Sequence, residues 1–189
     1  SDVLSLVGIP EERVVRVHNA VDLERWSAAP ELDAAATLRK FGIPEHPFVL
    51  YVGGSDFRKN VEGMLGGLRH ARRRGTAINL VWAGNLGPAH RARLEDEVRR
   101  AGLSEAVHLI GFITDEELAV LYRATVAHLF VSRLEGFGLT VIEAMAAGCP
   151  VVTTRGGSLA EIGGDAVLAI DPDDHAAIGD ALVRLASEP

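Results

Sequence analysis

The sequence holds one cysteine, Cys149, so no disulfide can form within the chain and a reducing compartment fits best. Between Gly148 and Pro150, with no acid–base partner nearby in sequence, that thiol is expected to be a small buried hydrophobe. No stretch approaches the roughly eighteen consecutive apolar residues that a membrane-spanning helix needs. The N-terminus lacks a basic-then-apolar leader and does not begin with Met, which suggests a piece of something longer. Positive charge is scarce too. A net charge of −7 argues against wholesale binding to nucleic acid or an anionic membrane. The one basic run, RHARRR at 69–74, is expected to be the solvated end of a helix. The seven histidines show no metal-ligand spacing, so no metal is expected. His108 and His128, inside apolar runs, are expected to be core histidines. A cytoplasmic location is expected on the cysteine usage.

What is present has a rhythm. From Phe48 onward a short apolar run, a glycine turn and an amphipathic stretch recur. The runs are FVLYVGG (48–54), INLVWAG (78–84), VHLIG (107–111), AHLFVS (127–132), PVVTT (150–154) and AVLAI (166–170). Most lack strict alternation, as strands buried on both faces do. Helical patterns lie between them at about 59–74, 88–101, 115–124, 139–147 and 158–163, with a last one at 174–187. This alternation predicts right-handed βαβ units and one parallel sheet, a doubly wound α/β fold with helices on both faces. Three helix starts read as capping boxes: Thr114 with Glu117, Thr140 with Glu143, and Ser158 with Glu161. The first 46 residues hold a strand-like run, an Asn-Ala-Val-Asp turn, Trp26 and one helix closed by Gly42. They carry no complete core and are expected to form a connector and leading helix, with the domain proper at 47–189.

In such a sheet ligands bind outside the carboxyl ends of the strands. The first strand ends in Gly53-Gly54, and Arg58 and Lys59 follow, a cationic pair suited to phosphate oxygens. In EGFGLT (135–140), Gly136 and Gly138 let the backbone approach an anion, and the helix starting near Leu139 or Thr140 points its free amides there. Glu143 would repel phosphate but suits the vicinal hydroxyls of a ribose, and Glu135 could meet a second hydroxyl-bearing group. Each has a plain alternative, Glu143 as the capping-box partner and Glu135 as an exposed loop charge. The conjunction fits a sugar joined through a diphosphate to a nucleoside.

Two glutamates with seven residues between them, Glu135 and Glu143, with GFGLTVIEAMAAGCPVV between and after, resemble the signature of the family-four glycosyltransferases of GT-B fold. YVGGSDFRKN resembles that family's diphosphate-gripping segment, VHNAVDLERW its interdomain connector, and VHLIGFITDEELAVLYRAT its nucleobase segment. The resemblance covers nearly the whole chain. It implies a Rossmann-like, nucleotide-sugar-binding domain and retaining sugar transfer without a bound metal or other cofactor. By the same resemblance Lys59 and Arg58 neutralise the diphosphate beside Gly53 and Gly54. Gly136, Phe137, Gly138, Leu139 and Thr140 form the turn that meets it. Glu143 holds the ribose, Glu135 contacts the transferred sugar, and Phe112 and Ile113 line the base. Glu135 and Lys59 are the expected catalytic residues. Many relatives carry arginine where Gly54 stands, and Ala20 replaces the usual connector glycine.

The family's acceptor-binding domain would precede Ser1, so this chain is expected to be inactive alone as a hexosyltransferase, with a weak lean towards mannose-type donors. Peripheral membrane association stays open for the full-length protein. The competing reading is a nucleotide-sugar-binding module that acts only with a separate partner chain. An epimerase would need its own acid–base pair, and a dinucleotide oxidoreductase would need a G-x-G-x-x-G after the first strand.

Overall fold

Short apolar runs become strands where they can be covered on both faces, and six do so. They are β1 (Phe48–Val52), β2 (Asn79–Ala83), β3 (Val107–Gly111), β4 (Ala127–Phe130), β5 (Val151–Thr154) and β6 (Leu168–Ile170). The computed structural model describes residues 2–15, 17–44 and 47–187. Every strand pairing in it is parallel, and the order is β3-β2-β1-β4-β5-β6. Residues of β2, β4 and β5 are wholly buried, while the edge strands β3 and β6 are mostly half-buried. The parallel α/β expectation holds. The direction of winding reverses between β1 and β4, where Val49 pairs with Ala127 and Leu50 with His128. A crevice opens at such a switch point because the flanking connections leave to opposite faces.

The helices of the sheet are α4 (Val61–Arg73), α5 (Pro88–Arg100), α6 (Asp115–Ala124), α7 (Leu139–Ala146), α8 (Gly157–Gly163) and α9 (His175–Ser187). Three shorter ones precede it: α1 (Asp2–Val7), α2 (Leu23–Ser27) and α3 (Ala34–Lys40). The last two are capped by Asp22 and Asp33, which accept from Arg25 N and Ala36 N. α3 docks onto α6, while α2 packs on α7 and reaches α6 through its side chains: Trp26 is buried edge-on to Tyr122, and Arg123 donates to the carbonyls of Trp26 and Ala28.

Not every local expectation survives. The strand-like run at 14–17 forms no strand among the described residues, and Val15 and Val17 are more than four-fifths exposed. Arg16 lies outside the described residues. Valines favour strands, but a lone run has no neighbour to pair with. Of the three capping boxes, the one at Thr114 forms, with Glu117 N donating to Thr114 Oγ1 at 3.3 Å and Thr114 N to Glu117 Oε2 at 2.9 Å. The other two do not form, because Gly138 and Gly156 take the cap positions of α7 and α8. Thr140 and Ser158 sit inside those helices instead.

Candidate functional site

Two loops meet at the switch point, one leaving β1 and one leaving β4. The first is held from below by aromatic side chains. Tyr51 Oη donates to Gly54 O at 2.8 Å, and Trp82 Nε1 donates to Gly53 O at 3.1 Å. A Cβ on Gly53 would lie 2.6 Å from that Tyr51 oxygen, so glycine is required there. Asp56 then caps a turn at Phe57–Lys59, and Arg58 Nε donates to Asp56 Oδ1 at 2.8 Å. The hydrogen bond from Arg58 holds the Asp56 carboxyl below the usual carboxylate range. Arg58 is thus exposed and turned onto its own loop.

Lys59 goes the other way. Its Nζ donates to Glu135 Oε1 at 2.7 Å across the crevice, 5.6 Å from the Phe130 ring centroid. Only 17 % of the Lys59 side chain and 11 % of the Glu135 side chain are exposed. The backbones also join, with Arg133 N donating to Arg58 O at 2.7 Å. The sequence named both residues of the ion pair but gave no hint that they touch.

Asn60 was missed altogether. It is the only non-glycine residue with positive φ among the described residues, at 57°, and it is buried. Its Nδ2 donates to Val131 O at 3.0 Å and to Pro172 O at 2.8 Å, while its Oδ1 accepts from Gly63 N at 3.2 Å. One amide therefore caps α4 and ties the β1 loop to the chain after β4 and after β6. An asparagine before a helix was the available signal, since its side chain caps and tolerates the left-handed region. Asn60→Gly keeps the backbone geometry and loses all three bonds. It is expected to cost about 2 kcal/mol in urea unfolding, at about 1 kcal/mol per bond less the cap that glycine partly replaces. A loss below about 0.5 kcal/mol would mean the amide is not what locks the loops.

Gly138 opens α7. Its φ is 105°, and a Cβ would meet Leu159 Cδ2 at 2.6 Å. No side chain caps this helix, so its first amides and the positive end of its dipole are left for an anion. Thr140 Oγ1 and Ser132 Oγ are buried there without a hydrogen-bond partner among the described residues. Gly136 and Phe137 border a cleft of about 720 Å3 whose other wall includes His18 and Asn19 of the connector. Glu135 O accepts from Ser158 Oγ at 3.2 Å, fixing the loop against α8.

Glu143 lies in the second turn of α7, half-buried and free of any capping box. Burial raises its carboxyl above the ordinary value and Asp115 adds repulsion, while the nearby Tyr122 hydroxyl and the Arg25 charge oppose both. Asp115 opens α6, and the preceding segment carries Phe112, 74 % exposed, and Ile113, half-buried. Lys59, Glu135 and the start of α7 therefore stand together at the crevice, with Glu143 towards the α6 side and Arg58 at the exposed edge. Among the described residues no three His, Cys, Asp or Glu side chains are placed to share a metal ion, and no helix is long and apolar enough to cross a membrane.

Comparison with known proteins matches residues 34–189 to the family described as Glycosyl transferases group 1. An O-antigen chain mannosyltransferase B of Escherichia coli is 31 % identical over 187 residues, covering 94 % of this chain and 46 % of that protein. Among solved structures, sucrose-phosphate synthase from Thermosynechococcus elongatus superposes with a TM-score of 0.75 at 30 % identity, over 89 % of this chain and 42 % of that one. The C-terminal domain of a group 1 glycosyl transferase from Francisella tularensis gives 0.72 at 27 % identity over 89 % of each chain. The chain spans under half the length of the curated relatives it matches, 46 % and 41 % of the first two.

Proposed function

The chain belongs to the glycosyl transferases group 1 family, and from that footing we propose that it is the donor-binding half of a retaining glycosyltransferase. It would hold a nucleotide-diphosphate sugar for transfer to an acceptor hydroxyl. The observation that carries this reading is the Lys59–Glu135 pair, which sets a cation and a carboxylate side by side next to the uncapped start of α7. A diphosphate needs positive charge and free amides, and a sugar needs a hydroxyl acceptor. The pair and the helix end supply all three within one crevice.

In this reading Lys59 turns from Glu135 to the diphosphate, and Glu135 is released to a hydroxyl of the transferred sugar. Arg58 joins from the edge, since an exposed ion pair such as its bond to Asp56 contributes only about 0–1 kcal/mol and is readily exchanged. The amides of Leu139 and Thr140, with the Thr140 hydroxyl, take phosphate oxygens. These groups neutralise the leaving diphosphate in place of a bound metal. Glu143 accepts from the ribose, and Phe112 and Ile113 lie along the base. The acceptor surface belongs to chain beyond these residues, in keeping with relatives about twice as long. The E. coli relative's name supports a mannose-type donor.

Calorimetry with a panel of nucleoside diphosphates and nucleotide-sugars tests the reading. One of them should bind at one site per chain, and silence across the panel would sink it. Glu143→Gln then probes the ribose contact. Because Gly138 caps α7 and the Glu143 carboxylate is disfavoured by burial, the neutral variant should melt no lower than the parent. Its nucleotide affinity should fall about tenfold, the worth of a hydrogen bond to a charged acceptor. Unchanged affinity would remove Glu143 from the site.

A further inference from the structure

A second groove, of about 670 Å3, lies between α4 and α5. Glu62 and Arg69 face it from α4, while Arg93, Glu97 and Arg100 face it from α5. Both sets follow helical spacing, so each helix presents one charged stripe to the other. The floor is apolar, made of buried Val61 and Leu65. Arg133 and Phe57 stand at the mouth, and Phe57 is 82 % exposed. Four guanidinium groups and two carboxylates line the groove, and Asp96 and Asp173 balance two of the guanidinium groups from outside it.

Three of the four arginines hold a carboxylate, in pairs open to solvent. Arg69 forms no ion pair among the described residues. Arg93 pairs with Glu97 on its own helix at 2.9 Å, but its side chain is 78 % exposed. Arg100 pairs with Asp96 and Arg133 with Asp173, again at exposed positions. Exposed pairs of this kind exchange partners readily.

We propose that this groove binds a sugar phosphate. The arginines of the facing helices grip the phosphate, and Glu62 and Glu97 accept hydrogen bonds from sugar hydroxyls. A phosphomonoester carries about −1.5 to −2 charge at neutral pH, enough to compete with the carboxylates for these arginines, and guanidinium forks fit its oxygens two at a time. Carboxylates set among the arginines disfavour a nucleic acid strand or a membrane surface, which would press several phosphates against them. The Phe57 ring offers an apolar face to the sugar's C–H groups. The volume lies within the roughly 300–1,000 Å3 usual for small-molecule clefts. Phe57 and Arg133 come from the same two loops as Lys59 and Glu135, yet the Lys59–Glu135 pair does not line the groove. The site is therefore separate from the donor site and does not rest on that reading.

Calorimetric titration of the 189-residue chain with glucose, mannose and fructose 6-phosphates decides the matter. At least one should bind at one site per chain, and saturating guanosine or uridine diphosphate should leave that affinity unchanged. The pair of substitutions Arg69→Ala and Arg93→Ala should weaken binding at least tenfold, and Lys59→Met should not. Free hexose should not bind. Hexose phosphate binding with neither nucleotide bound would uphold the groove while counting against the donor reading. Competition by a nucleoside diphosphate would overturn the proposal, since the ligand would then sit in the donor site. Inorganic phosphate binding as tightly as every hexose phosphate, or no binding of the panel at millimolar concentration, would overturn it as well. Arg93→Glu, an exposed reversal of charge that keeps the helix, guards against a folding artefact. It too should weaken binding at least tenfold, and full retention would be fatal.

Discussion

Lys59→Met should lower the stability of the chain by about 2–3 kcal/mol and weaken nucleoside diphosphate binding about 10- to 150-fold. The two losses have different origins. Removing the ammonium leaves Glu135 as an uncompensated carboxylate, 11 % exposed, at the meeting of the two loops. Breaking a fully buried pair costs about 3–5 kcal/mol, and the residual solvent contact here trims that figure. The binding loss is that of one charge-assisted hydrogen bond, about 1.5–3 kcal/mol. Adding Glu135→Leu separates them. The double variant removes the stranded carboxylate, so urea unfolding should return to within about 1 kcal/mol of the parent. Nucleotide affinity should stay low. Recovery of affinity in the double variant, or parent-like affinity in the single one, would take the phosphate role away from Lys59.

The second large effect is on acid stability. His128 is wholly buried in β4, with its Nδ1 against Leu50 O at 3.0 Å and its Nε2 without a partner among the described residues. Nδ1 must therefore carry the hydrogen, and a second proton on Nε2 would be a buried, unmatched charge. Burial lowers its pKa from 6.5 to about 4. A depressed histidine pKa means that the unfolded chain takes up a proton the folded chain refuses. The stabilisation is complete above the unfolded value of 6.5 and is lost as pH falls towards 4. Across that window the loss is about 3 kcal/mol, at about 1.4 kcal/mol per unit. His108, lowered in the same direction by burial, adds to it, while Glu143, raised by burial, opposes it at the acid end. Asp56 and Glu117, held low by Arg58 and Lys40, lose their contributions as pH falls below 3.8 and 4.5, so Glu117 joins at the acid end of the window. His128→Asn keeps a donor for Leu50 O and cannot titrate. It should be less stable at neutral pH because of the smaller side chain, but much flatter between pH 6.5 and 4. An unchanged slope would assign the acid sensitivity elsewhere.

Much of this was legible in the sequence because strands buried on both faces leave continuous apolar runs. All six runs became strands, and the glycine turns after β1 and β4 fell at the carboxyl edge where a parallel sheet places ligands. The capping patterns were less faithful. A hydroxyl three residues before a glutamate says nothing about which residue takes the cap, and at α7 a glycine at φ 105° took it. That difference bears on function, because it leaves Glu143 without the structural duty that would otherwise explain it. The Lys59–Glu135 bond joins residues 76 apart, and no local pattern announces such a pair. Asn60 was hidden for the opposite reason. Its three bonds reach distant carbonyls and a near amide alike, yet in the sequence it is one polar residue at a helix start.

The reversal of winding between β1 and β4 also sets the order in which this molecule can assemble. β1 finds β2 through one helical crossover, but its other neighbour is made only after residue 127. Closing that span is the slow, entropically costly part of building a parallel sheet. Every bond across the crevice, Lys59 to Glu135, Asn60 to Val131 and Arg133 to Arg58, belongs to that late step. A chain emerging from the ribosome therefore has neither wall of its crevice in place until β4 has docked, and α4 is left without its tie to Pro172 until β6 follows. Closure of the crevice is therefore a late event, reached when β4 docks and locked from α4 only when β6 has joined the sheet.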